Sequence, residues 1–282
     1  MRNKLIIIFG LLILAAGLVE GLLAVRTASK AVTEKVEAHL IDKATDTAEV
    51  IDGRVNAFWQ FLEGIARMPA FRDPAISYTE KCLLLDKEAA FNNQILDLNI
   101  ADRKGNLYTS DGKSTNISHL VWYKDSNGGQ KYFAEPFMSP VLHKLVMAVI
   151  VPVMDDNNTL IASLVALIPG NWLTDRIDDI IVGQTGYCHI VGSNGLIVAH
   201  KDFDWVTKRF NGVEKGKEDP SFALYGKFIQ SALDAEKSAI GFYEYKGNRY
   251  IASYAKIAAT GRTVIITAPV NEFMGTVAAL RT

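Results

Sequence analysis

The chain has 282 residues, 49% of them hydrophobic and 22% charged, with a formal net charge of −1. That balance excludes the basic excess with which proteins bind nucleic acid and the acidic composition of a solvating arm, and it leaves enough apolar residues for a sizeable core. The only cysteines, Cys82 and Cys188, are too few and too far apart for a disulfide framework or a CxxC metal site. Two buried thiols are expected, with one long-range bridge as the alternative.

The chain opens on a charged tip, Arg2 and Lys4, followed by an apolar run from Leu5 to Val25 that only Glu20 interrupts. At about 1.5 Å per residue this run matches the ~30 Å hydrocarbon core of a bilayer. A single-span anchor is therefore expected, and the positive tip predicts a cytoplasmic N-terminus with everything after Val25 outside. A cleaved signal peptide is the rival reading, since Ala15-Ala16-Gly17 and Leu23-Ala24-Val25 offer small residues near the end of the run. The run exceeds the ~7–15 residues of a signal core, which favours the anchor. A type IV pilin start is excluded because Glu20 comes too late.

From Thr27 to Met68 the positions Val32, Val36, Leu40, Ala44, Ala48, Ile51, Val55, Phe58, Leu62 and Ile65 recur every three or four residues, one face of a continuous helix. Gly53 and Gly64 weaken it, and Pro69 and Pro74 end it. Its upper half is expected to pack under the folded domain. Its lower half, around Val32 to Ala48, interleaves small and polar residues and is expected to meet a second copy in a parallel homodimer.

A second helical stretch, Ile76 to Leu96, leads into a hairpin at residues 98–108 whose turn glycine is Gly105. Residues 187–198 repeat this hairpin around Gly195. Strand-like segments follow the first at Lys131–Phe137, Leu145–Val153 and Leu160–Ile168, and the second at Ala239–Tyr245, Tyr250–Ile257 and Thr263–Ala268. Duplication accounts for the shared order. The expected fold is α+β, with two tandem modules, each a five-stranded antiparallel sheet whose apolar face is covered by the long helix or by the insert between strands two and three. Trp172 to Ile180 reads as a short linker helix, and a further helix restarts after Pro269 and runs to Thr282. The implied boundaries are a tip at 1–4, the anchor at 5–25, a stalk helix at 26–70, a first module at 71–174, a second at 175–268 and an exit helix at 269–282.

Four local features mark the modules: Asp102-x-x-Gly105-Asn106 with Asp111-Gly112, Val121-Trp122-Tyr123-Lys124, Glu135-Pro136, and Val182-Gly183-x-Thr185-Gly186-Tyr187. With the order of parts, they make nearly the whole chain resemble the extracytoplasmic double Cache sensor, built of PAS-like modules, of bacterial methyl-accepting chemotaxis proteins. The resemblance implies a sensor outside the inner membrane, with a small molecule held in the membrane-distal first module and the change passed on by the second. It implies no catalysis, and an output module that this chain does not contain. A chemotaxis hairpin comes first by analogy, and a histidine kinase or a cyclic-dinucleotide enzyme are alternatives. A membrane-tethered solute-binding protein is the reading from another class.

Trp122, Tyr123, Tyr132 and Phe137 fall in the insert and third strand, where aromatic rings with polar tips wall a pocket or simply fill the sheet's apolar face. Tyr108 and Asp111, with Ser110, close the second strand and offer either hydrogen bonds to a ligand or a surface turn. Amino-acid-sensing members of the family place an Arg two residues before the Trp-Tyr pair and an Asp on the fifth strand. Leu120 and Leu167 stand at those positions here. Without both charges a zwitterion loses its water uncompensated, so a heteroaromatic or other neutral ligand is expected, with His119, His143, Lys144 and Glu135 as remaining sources of charge.

The five histidines share no HExxH spacing, and no GxSxG, P-loop or GxGxxG occurs. Enzyme chemistry, a metal and a cofactor are not expected. Asn194, His200, Asp202, Asp204 and Trp205 form a polar cluster that reads as a loop or a second ligand or ion site.

Overall fold

The computed structural model describes residues 2–126 and 130–272. The apolar run and the stalk stripe form one helix, α1 (Arg2–Ala66), about 98 Å long at 1.5 Å per residue. Gly53 and Gly64 do not interrupt it, because they lie on the open side where an added Cβ meets nothing within 4 Å. Pro69 begins a short turn, α2 (Pro69–Arg72). Next, α3 (Tyr78–Ala89) starts on a capping box in which Ser77 and Glu80 satisfy each other's backbone N–H. It ends earlier than Leu96: Asn92 folds back to accept from the Gln94 N–H, and the strand begins at Asp97.

The first sheet comprises β1 (Asp97–Asp102), β2 (Asn106–Tyr108), β3 (Ser114–Asn116), then, after α4 (Val121–Ser126), β4 (Tyr132–Phe133), β5 (Phe137–Met138), β6 (Leu145–Met154) and β7 (Leu160–Pro169). The second comprises β8 (Ile181–Val182), β9 (Gly186–Val191), β10 (Ile197–His200), then, after α5 (Asp204–Thr207), α6 (Gly212–Glu218) and α7 (Ala223–Asp234), β11 (Ala239–Tyr245), β12 (Asn248–Lys256) and β13 (Thr263–Pro269). Both are antiparallel.

The orders β2-β1-β7-β6-β4 and β10-β9-β13-β12-β11 coincide, as duplication requires, but the sheets have seven and six strands, not five. The additions are β3, β5 and β8, too short to show alternation. The third strand expected at Lys131–Phe137 is broken into β4 and β5, because Pro136 has no N–H to give to a ladder. The expected linker helix is a single 3₁₀ turn at Thr174–Arg176. At the far end a helical segment begins at 270–272, and the rest of the expected exit helix lies outside the described residues. Both cysteines are buried and free.

Alternation sorts the first sheet's side chains. Met147, Val149, Val151, Leu164, Ala166 and Ile168 face α1, and Val146, Ala148, Ile150, Val165 and Leu167 face away from it. Helix α1 packs on β6 of the first sheet and on β12 and β13 of the second. Leu40, Ala44 and Ala48 are buried in that contact, and the Ser253 hydroxyl donates to the Leu40 carbonyl at 2.6 Å. This corrects the expectation for the lower half of the stripe. From Leu40 to Ala48 it is used inside the chain, so it cannot be the seam for a second copy. Ser253→Ala is expected to lower the unfolding free energy by about 1 kcal/mol, measured by urea denaturation.

Among the described residues no helix is long and apolar enough to cross a membrane. Part of the expected anchor, including residues 5–9, has side chains outside the described set. Of those described, Ile13 is 71% and Leu22 62% exposed.

Candidate functional site

The β1–β2 turn delivers the insert over the open face of the first sheet. Asp102 caps it: Oδ1 accepts from the Lys104 and Asn106 N–H groups, and Oδ2 from the Asn106 amide and the Tyr108 hydroxyl. Burial opposes the carboxylate, but these donors prevail and hold its pKa below the usual carboxylate range. Gly105, at φ +79°, closes the turn, and a Cβ there would lie 2.7 Å from that of Ser118. The bare glycine lets the insert return close to the turn, with the Ile117 N–H bonded to the Gly105 carbonyl at 2.8 Å.

From that fixed point α4 lays Trp122 and Tyr123 over the sheet. Tyr123 is 1% exposed and donates to the Asp102 carbonyl at 2.8 Å. Burial, then the Asp102 charge, raises its pKa and keeps the phenol neutral. Trp122 stacks on Phe137, with centroids 5.2 Å apart and planes at 30°, and meets Tyr123 edge to face at 6.2 Å. Its Nε1 is buried without a hydrogen-bond partner. Tyr123→Phe is expected to cost about 1 kcal/mol of stability and leave the indole in place, a pairing that denaturation and tryptophan fluorescence check together.

These residues border a cleft of about 370 Å³, walled by Leu120, Val121, Trp122, Tyr132, Phe137 and Met138. Glu135 and Pro136 form its rim, and Asn194 and Arg209 of the second module complete it. The two modules are joined along that rim. The Asn194 amide donates to Glu135 at 3.2 Å, Arg209 Nη1 to the Pro136 carbonyl at 3.1 Å, and Arg262 Nη2 to the Phe133 carbonyl at 2.7 Å. Arg262 is 4% exposed, with its guanidinium over the Phe133 ring. Burial lowers its pKa to about 10, opposed by the Glu135 charge, so it stays a cation at neutral pH.

Of the residues expected from the sequence, Leu120, Trp122, Tyr132 and Phe137 come together on the cleft, while Tyr123 and Leu167 lie in the apolar cluster beneath it. The others are elsewhere. Tyr108 stacks on Tyr78 at 4.4 Å, on the α1 side of the sheet. Asp111 is an exposed turn residue held by Thr109 and Lys113. His119 is exposed and does not line this cleft. Asn194, Arg209 and Arg262 were not foreseen as parts of this site, because they belong to the second module and carry no local motif. Arg209 has one unusual mark, a φ of +52°, which only the backbone reveals.

The second module has a larger depression, about 500 Å³, between α7 and the edge strand β11. It lies along the sheet edge and is also lined by rings, Phe228, Phe242, Tyr243 and Tyr254, but none of its lining residues carries a buried donor without a partner, as Trp122 does. The cluster read as a loop divides: Asp202 and Asp204 are exposed, whereas His200 is 4% exposed and stacks on Trp205 at 5.1 Å. Among the described residues no group of three or more His, Cys, Asp and Glu is placed to hold a metal ion.

A family model described as Cache domain matches residues 25–277. The chain belongs to the double Cache family. Its two sheets are the tandem Cache pair, and its fold is that of sensor domains. The ligand-binding domain of the Pseudomonas fluorescens chemoreceptor CtaA, solved with L-isoleucine, aligns at a TM-score of 0.67 and 15% identity over 89% of this chain and 99% of that one. The extracellular domain of the putative histidine kinase mmHK1S-Z3 aligns at 0.66 and 14%, over 87% and 98%. The ligand-binding domain of the Pseudomonas aeruginosa PAO1 amino acid chemoreceptor PctB, in complex with L-Gln, aligns at 0.64 and 18%, over 85% and 93%. A comparison with curated proteins matches none. At these identities the likeness is one of fold, and this Cache chain's own cleft must argue its function.

Proposed function

We propose that this chain is the extracytoplasmic ligand-sensing region of a transmembrane receptor of the chemotaxis type, which binds a small molecule in its first Cache module and transmits the change through the second. The observation that carries the reading is the cleft on the sheet face opposite α1, with stacked rings as walls, one of them an indole whose buried N–H has no partner. The seam supports a sensor over a tethered capture protein, because two bonds from the second module end on the cleft's rim, at Glu135 and Pro136, and a third ends on Phe133 beside it. Residues 71–174 are the ligand-binding, membrane-distal module and 175–268 the membrane-proximal one.

The exposed apolar residues near the start of α1 support the single-span anchor at 5–25 and a place in the inner membrane. A homodimer would pair along the outer face of α1, where Val50 is 56% exposed and Gly53 and Ala57 are open. The output is a chemotaxis signalling module, with a histidine kinase or diguanylate cyclase as the alternative.

Leu120 at the cleft and Leu167 beneath it bring no charge to the cleft floor, so the ligand's body is uncharged and aromatic or branched. A thermal-shift screen of the full chain in detergent, against nucleobases, amines, amino acids, organic acids and sugars, tests this. A binder raises the melting temperature by mass action. Absence of any shift across those classes, with the protein folded, would rule out small-molecule sensing.

A further inference from the structure

We propose that the ligand site is shared by both modules, and that Arg209 of the second module selects a ligand bearing a carboxylate on an uncharged body. The inference rests on the sensing role proposed above and adds the ligand's polar group. The first module's own residues supply no cation where the cleft is walled, by Leu120, Val121, Trp122, Tyr132, Phe137 and Met138. Arg209 is the cationic residue lining the cleft. One of its five N–H donors is spent on the Pro136 carbonyl, 3.1 Å away, which holds the guanidinium at the rim. Among the described residues no carboxylate lies within ion-pair distance of it. Its backbone sits at φ +52°, a conformation that a non-glycine residue keeps only where its surroundings impose it.

A second, separate observation asks for the same partner. Trp122, whose ring lines the same cleft, carries a buried Nε1 donor with no acceptor, and a ligand oxygen reaching it would satisfy it. Glu135 does not cancel the preference. It accepts from the Asn194 amide and lies in the field of Arg262, so groups of the second module already engage it. A carboxylate held at the rim would touch both modules at once, and its affinity would then differ between arrangements that keep the seam closed and those that open it.

The test uses the full chain in detergent micelles and matched pairs of one body with and without the charge: phenylacetate and phenylacetamide, indole-3-acetate and indole-3-acetamide, isovalerate and isovaleramide. L-Phenylalanine and L-leucine add carboxylates that also carry an amine. Calorimetric titration is expected to show at least one carboxylate binding tenfold or more tighter than its amide, the scale of a charge-assisted pair. Arg209→Gln should erase that preference with the unliganded melting temperature nearly unchanged, and Arg209→Lys should retain part of it. Weaker binding of L-phenylalanine than of its amine-free analogue 3-phenylpropionate would support the uncharged body, and tighter binding of the amino acid would overturn that part of the proposal. Equal binding of acid and amide, both lost in Trp122→Ala, would overturn the role of Arg209 and leave the cleft as the sensing site. A preference surviving in Arg209→Gln, or no carboxylate binding at all, would overturn it too, while the wider screen decides the sensing role by itself.

Discussion

Trp122→Ala is expected to weaken ligand binding by about 30- to 1,000-fold, the range of a central aromatic anchor. The indole makes one wall of the cleft, stacks on Phe137 and carries the unpartnered donor, so its removal takes away contact area, a rigid stack and a hydrogen bond together. The fold should survive. Tyr123, buried beneath and bonded to Asp102, holds the sheet contact independently, and a half-buried tryptophan costs less than the ~3–5 kcal/mol of a fully buried one. Calorimetry of wild type and variant with the strongest compound from the screen is the measurement. Unchanged affinity would mean that these rings only fill the sheet's open face.

Mild acid is expected to destabilise the second module well before carboxylates titrate. His189 is fully buried on β9, with Nδ1 unpartnered and Nε2 3.4 Å from the Tyr225 hydroxyl. His200 lies 5.8 Å away, its Nδ1 accepting from the Asp202 N–H at 2.9 Å. Burial, then the neighbouring His200, pushes the His189 pKa well below 6.5, and burial also lowers that of His200 against the pull of Asp202. Both folded values lie below the unfolded one, so the unfolded chain takes up protons first. The contribution is therefore complete above about pH 6.5 and falls as pH drops, by up to about 1.4 kcal/mol per pH unit for each histidine. The tyrosines around the pair, Tyr187, Tyr225 and Tyr243, are raised by burial and stay neutral. Asp102 and Asp219, both lowered, add their own loss only once pH falls into and below the usual carboxylate range. Urea midpoints at pH 7.5, 6.5 and 5.5 should decline in step, and His189→Phe should flatten the decline. Constant midpoints across that range would mean that the pair is reached by water.

The helix-period stripe on α1, the turn glycines Gly105 and Gly195 and the duplicated strand order were legible because each depends on neighbours in the chain. A period of three to four specifies a face, and a positive φ specifies glycine: Gly105 and Gly195 adopt +79° and +86°. Trp122 was legible as a cleft element for the same reason, whereas Tyr123, its neighbour on the same short helix, belongs to the apolar cluster beneath. Where local signals were faint the reading failed. Ser114–Asn116 gave no alternation by which to recognise β3, and the stripe at Leu40 to Ala48 looked free because the sheet that covers it lies more than two hundred residues further along.

By itself, then, the sequence determined the tandem architecture, the two faces of each central strand and the uncharged character of the cleft floor, all consequences of side-chain period and identity. Only the tertiary structure decided that the cleft has a second wall. Arg209, Asn194 and Arg262 meet the Phe133–Pro136 segment across the seam between modules. Contacts between residues so far apart in the chain arise from how two independently patterned sheets pack on one helix, and no local propensity records that packing.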